Sequence, residues 1–214
     1  MERVTFYIDG FNFYYGLKTS KRADQNWARY YWINMVKLLE QFLGPNQQLE
    51  KVIYFTAAPL DPGKSSRQSA LLNANKLLNP TTFEVVRGKY INKNIVCPFC
   101  NHAISRPEEK KTDVNISVRM IADCVTDATD QFVLVSADSD LIPPIEFIQK
   151  HYPNKKIKLY FPPSRFSSDL RDNALHHRSK PILLEKNKVK FENSRMPDIV
   201  SANGKSFTKP ANWV

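Results

Sequence analysis

Four aspartates have the type and placement to do chemistry together: Asp9, Asp113, Asp138 and Asp140. Asp9 closes a short apolar run, Val4 to Ile8, and Asp138-Ser139-Asp140 follow a second, Phe132 to Ser136. Asp113 stands in the first turn of a helical pattern. Clustered carboxylates repel one another and are costly beside an apolar core unless they are protonated or hold a cation. Such hard oxygen ligands suit Mg²⁺ or Mn²⁺, ions that keep several waters and bind substrate phosphates. A bound ion activates a water and steadies charge on the leaving oxygen, so phosphodiester hydrolysis is the natural reaction. Singly, each residue has a local explanation: Asp138 or Asp140 can close an Asx-turn or cap the helix at Pro143, Asp113 suits a first turn, and Asp9 can end a strand in a turn. Their coincidence favours the metal site.

The elements that must position these residues alternate in type. Strands are predicted at Val4 to Ile8, Val52 to Ala57, Phe83 to Val86, Phe132 to Ser136 and Ile157 to Phe161. Helices are predicted at Asn34 to Leu43, at Ser65 to Leu78 with serine caps at its start, from Lys110 onward, at Pro143-Pro144 and at Ser167 to about His177. In the Lys110 helix, Val114, Val118, Ile121, Ala122 and Val125 share one face, the expected core face. Residues 92–109 read as an irregular insertion carrying Cys97 and Cys100, and residues 181–214 as a tail wrapping the surface. Strands alternating with helices argue for an α/β fold whose mostly parallel sheet of about five strands is covered on both faces. Working residues in such sheets gather beyond the strands' carboxyl ends. Asp9, Asp138 and Asp140 share that edge if their strands are neighbours.

A chain of 214 residues fits one good-sized domain with a small appendage. No apolar run approaches the ~20 residues needed to cross a bilayer, and the first residues lack the pattern of a signal peptide. Three cysteines are too few and too odd in number for a secreted disulfide framework. Cytoplasm is the expected location. The net charge of +10 favours an anionic partner, with nucleic acid the commonest. Basic residues crowd the segment from 150 to 180, where Lys155, Lys156, Arg165 and Arg171 are candidates to track phosphates; a solvated surface is the competing reading.

The segments YIDGFNFYYGL, EEKKTDVNISVRM, LVSADSDLIPPIE and MPDIVSANGKSFTKPANW carry a resemblance that covers nearly the whole chain in order. They resemble the NYN domain of the PIN-like nuclease superfamily, in its LabA-like branch. The resemblance implies a three-layer α/β/α fold over residues 1–180 and metal-dependent endonucleolytic cleavage of RNA by activated water. It places the acidic site at Asp9, Asp113, Asp138 and Asp140, with Asn12 supporting the first aspartate and Ser136 and Ser139 lining the pocket. Two departures stand out. Ala137 occupies a position where the family often has glycine, and Asn173-Ala174-Leu175-His176 replaces a small residue, an aspartate and an aromatic.

Other motifs compete. Cys97 and Cys100, with His102 two residues on, have the spacing of half a zinc knuckle, so a structural Zn²⁺ stands beside the reading of a reduced CxxC loop. Pro62-Gly63-Lys64-Ser65 resembles the end of a P-loop, but Ala58 stands where glycine is required, so ATP binding is rejected. An aspartyl-phosphate phosphatase needs a second aspartate where this chain has Phe11. Trp27, Tyr30, Tyr31 and Trp32, with Phe11, Phe13, Tyr14 and Tyr15, are core candidates of which a few could stack on unpaired bases. Two functions remain: a metal-dependent ribonuclease, and a non-catalytic module that binds nucleic acid or a protein, with self-association open in either case.

Overall fold

The computed structural model describes residues 1–96, 98–174 and 180–213. The chain runs β1 (Glu2–Asp9), α1 (Gly10–Ala23), a 3-10 segment (Gln25–Tyr31), α2 (Met35–Glu40), β2 (Gln47–Thr56), α3 (Pro62–Leu78) and β3 (Phe83–Arg87). It continues through β4 (Lys89–Val96), β5 (Ala103–Lys110), α4 (Thr112–Val125), β6 (Gln131–Val135), α5 (Ile142–His151), β7 (Lys156–Phe161) and α6 (Ser168–Ala174). Beyond residue 180 come β8 (Ile182–Leu183), α7 (Lys188–Asn193), β9 (Ile199–Ala202) and β10 (Lys205–Thr208).

Six strands form one parallel sheet in the order β3-β2-β1-β6-β7-β8. The two-residue period of a strand sends alternate side chains to opposite faces. Val4, Phe6 and Ile8 meet Phe13 and Leu17 of α1 and Leu72 of α3 on one face. Tyr7, Phe132 and Leu134 meet Ile116 and Met120 of α4 and Ile145 of α5 on the other. The result is an α/β/α sandwich. The chain moves outward from β1 to β2 and β3, then returns to lay β6 on β1's other side, so the strand order reverses between β1 and β6. A crevice at such a reversal, outside the carboxyl ends, is where open α/β sheets bind ligands.

The expected mostly parallel sheet of about five strands, covered on both faces, is present with six, the segment after residue 180 supplying β8. Three expectations need correction. Residues 89–110 form an antiparallel hairpin, β4 with β5, not an irregular loop. Helix α3 starts three residues earlier than expected and is capped by Asp61, whose carboxylate accepts from the Lys64 amide, rather than by serine. On α4 the apolar stripe faces outward: Val114, Val118 and Val125 are exposed, while Ile116, Met120 and Cys124 are buried. The sheet contact sits one step around the helix because Arg119 and Asp123 also turn inward, Arg119 clasping Asp123 and Glu84, and Asp123 accepting from Tyr7. Helix α1, absent from the sequence reading, is the element that orients Asp9.

Candidate metal centre

Asp9 is the last residue of β1 and the N-cap of α1. Its Oδ1 accepts the backbone N–H groups of Phe11 and Asn12, both at 3.0 Å, satisfying donors that a helix start leaves open. Its Oδ2 accepts from Asn12 Nδ2 at 2.5 Å and from Ser136 Oγ at 2.7 Å. Four hydrogen bonds hold one carboxylate. Gly10 is needed beside it: a Cβ there would meet Phe55 O and Tyr54 Cε1 at 2.5 Å, so only glycine lets α1 start against β2.

Ser136 follows β6 and ties the second loop to the first, accepting the Asp138 amide at 3.1 Å while donating to Asp9. Asp138 caps the short 3-10 turn Ser139–Leu141 by accepting the Asp140 amide. Asp113 lies in the first turn of α4, set up by Lys111 in the left-handed backbone region with φ of 77°. One carboxylate oxygen each from Asp9, Asp113 and Asp138 lies within 4.8 Å of the others. Asp140 is not in that triplet; its exposed carboxylate stands close enough to raise the Asp113 pKa. Ser139 opens the turn between the two aspartates.

Sequence reasoning missed a fifth carboxylate. Glu109, at the end of β5, is pushed up to about 8 by burial and by Asp9, Asp113 and Asp138. Its Oε1 is buried without a hydrogen-bond partner. The neighbouring Glu108 faces the other way and pairs with Lys93 and Lys110. The available signal was strand alternation through EEK, hidden because the segment read as irregular. Burial raises the Asp9 pKa from its ordinary value, with Asp138 adding to it, and burial with Asp138, Asp9 and Asp140 lifts Asp113 to about 6. Among the described residues, none of these five acids is paired with a cation. An uncompensated group of hard oxygen donors is what a small divalent cation fits.

The basic candidates are scattered. Lys155 and Lys156 lie at the start of β7, the sheet edge opposite the acids; Lys155 bonds Asp127 and Thr129 O, and Lys156 bonds Glu2. Arg171 pairs with Asp172 and lies over Phe166. Arg165, after the carboxyl end of β7, has a buried Nε without a partner and its side chain near Gly16 of α1. Cys97 lies outside the described residues, as do Leu175 and His176; Cys100 and His102 are exposed. No helix among the described residues is long and apolar enough to cross a membrane.

Residues 3–181 match the family model of the NYN domain. The chain belongs to the NYN domain family. That family is nuclease-like, and the acid cluster of this NYN domain supports a metal-dependent nuclease. The chain is 29% identical to 6-hydroxy-3-succinoylpyridine 3-monooxygenase HspA of Pseudomonas putida, over 70% of this chain and 56% of that protein. It therefore spans little more than half of that curated relative. A crystal structure of a protein of unknown function from Vibrio parahaemolyticus shares the NYN domain's fold, with a TM-score of 0.52 at 24% identity, covering 81% of this chain and 89% of that one.

Proposed function

We propose that this NYN domain is an endoribonuclease of the LabA-like branch that uses Asp9, Asp113 and Asp138 to hold Mg²⁺ or Mn²⁺ and cleave RNA phosphodiester bonds. The observation that carries the reading is the triplet of carboxylate oxygens within 4.8 Å, unpaired with any cation among the described residues, at the strand-order reversal. When bound there, a divalent cation supplies Lewis-acid stabilisation of phosphate charge and lowers the pKa of a water. Asn12 and Ser136 hold the Asp9 carboxylate in one orientation from two directions. In this reading Asp140, at the exposed rim, would accept a proton from an incoming water or help hold a second ion. In this proposal residues 1–180 form the catalytic domain, and residues 181–214 complete its sheet and wrap it.

The test is cleavage of end-labelled single-stranded and structured RNAs with Mn²⁺, against EDTA. Asp138→Asn keeps the capping geometry, since asparagine caps as well as aspartate, and is expected to abolish cleavage. Wild-type protein that binds RNA but leaves it intact with Mn²⁺ would instead support the non-catalytic module. A small-molecule enzyme is a second reading with one observation behind it. An aromatic cavity adjoins Asp9, and the Pseudomonas putida relative is named for acting on a substituted pyridine.

A further inference from the structure

Three features of α1 and its surroundings stand outside the acid cluster yet border it. Phe11, Tyr14, Tyr15 and Lys18 recur at i, i+3, i+4 and i+7, one face of the helix, but that face is not core: Tyr14 is 39% and Tyr15 41% exposed, while Phe13 and Leu17 point inward. These rings help line a cavity of about 290 Å³, with Tyr90 of the β4–β5 hairpin, Tyr54 and Trp213 completing its walls. That volume is at the low end of ligand pockets, room for one ring system and its sugar rather than a stack of several.

Two of the cavity's lining residues are direct neighbours of the acid cluster. Gly10, in its floor, follows Asp9 directly, and Tyr90 is the cross-strand partner of Glu109. A basic surface adjoins it, sharing Tyr14, Arg67 and Trp213 and adding Lys18, Lys21 and Arg22. Lys64 and Arg67 stand at the cavity itself. None of these five cations makes an ion pair among the described residues, in contrast to Lys155, Lys156 and Arg171. The acid at the cavity, Asp61, is occupied in capping α3.

Acid cluster, aromatic cavity and unpaired cations thus follow one another along the molecule. We infer that the cavity takes the unpaired base of the nucleotide next to the scissile phosphate, with Lys64 and Arg67 on the adjoining phosphates and Lys18, Lys21 and Arg22 carrying the strand away. This rests on the nuclease reading and adds to it a single-strand requirement. A ring against these aromatic walls gains stacking that any base can supply, so the pocket selects unpaired over paired nucleotides more than it selects sequence. A base locked in a duplex cannot reach it without leaving its stack. Gln68, in the same wall, has its amide nitrogen fixed on Thr56 and Ala57 and its Oε1 left without a partner, an acceptor for a base N–H after a small shift of the side chain.

The test uses the full chain in Ca²⁺, an oxygen-seeking ion, and single-stranded RNA hexamers each with one abasic nucleotide, moved along the sequence. Binding is read by fluorescence anisotropy and compared, by calorimetry, with that of 6-hydroxynicotinate, a small hydroxypyridine chosen to probe the small-molecule reading. One abasic position is expected to weaken binding about tenfold, the scale of one lost stacking contact. Tyr14→Ala, with the melting temperature checked because Tyr14 also packs on Tyr15 and Tyr31, is expected to weaken binding of intact RNA by the same factor and to remove the position dependence. Arg67→Ala is expected to lower the salt dependence of binding. Equal affinity for all abasic hexamers, or wild-type affinity in both variants, overturns the inference. So does tight 6-hydroxynicotinate binding that Tyr14→Ala removes while RNA binding is unchanged. Cleavage of intact RNA in Mn²⁺ separates the two claims. Position-dependent binding without cutting keeps the pocket and removes the nuclease; cutting without position dependence does the reverse.

Discussion

Asp9 shows why a carboxylate of this site is expensive and well held at once. Burial raises its pKa while Asn12, Ser136 and the start of α1 each stabilise the ionised form. Replacing Ser136 by alanine removes one hydrogen bond from a buried carboxylate, which is expected to cost about 1–3 kcal/mol in the metal-free protein, read by urea unfolding. Glu109 offers a sharper experiment. Cation binding needs ionised carboxylates, so Mn²⁺ affinity is expected to rise with pH in two steps, near 6 from Asp113 and near 8 from Glu109. Glu109→Gln should remove the upper step and leave the lower; a calorimetric pH series that keeps both would exclude Glu109 from the site. The positions of Asp9, Asp138 and Asp140 were legible because strand ends are visible in apolar runs. Glu109 was not, since its role depends on which way one residue of a hairpin faces.

At the scale of elements, the strands of the central sheet were readable because burial on both faces makes them near-continuous apolar runs. Helix α1 escaped notice for a physical reason: its outward face is aromatic, so its pattern resembles no ordinary amphipathic helix. The outward valines of α4 misled in the same way. The β4–β5 hairpin, which leaves Ile91, Ile95, Val96 and Ile104 exposed among charged residues, gave no clean alternation of polar and apolar positions, yet it delivers both Tyr90 and Glu109. Helix α3 is tied to the start of α2 by buried Asn75, which accepts from the Met35 amide and donates to Ile33 O and Leu71 O. Asn75→Ala would strand the Met35 and Ile33 groups in the core. The expected loss is about 1–3 kcal/mol for each group left unsatisfied, measured as a lower urea midpoint with the slope unchanged.

Across the whole molecule, the acid cluster sets a pH dependence opposite to that of the surface ion pairs. Asp113 and Glu109 have folded-state pKa values raised to about 6 and about 8, above their ordinary values, so their contribution to stability is present at low pH and lost as pH climbs through that window. Asp130, held well below the usual range by Arg3, contributes above the ordinary carboxylate pKa and is lost only in acid. Metal-free protein is therefore expected to melt at lower temperature at pH 8.5 than at pH 5.5. Mn²⁺ should reverse the difference by binding only the folded state, and Glu109→Gln should remove most of it; melting curves in EDTA and in Mn²⁺ check both. The layered architecture was legible from the alternation of elements, whereas the sixth strand was not, because β8 has two residues and exists only through its pairing with β7.

The bond from Ser136 to Asp9 joins residues 127 positions apart, and this has a meaning for how the protein is made. During translation the N-terminal third emerges first, and Asp9 waits on β1 without its neighbour β6. No complete acid centre can exist until the loop after β6 has left the ribosome and docked. For the proposed nuclease, the order of residues along the chain thus delays any activity until the loop after β6 has been made.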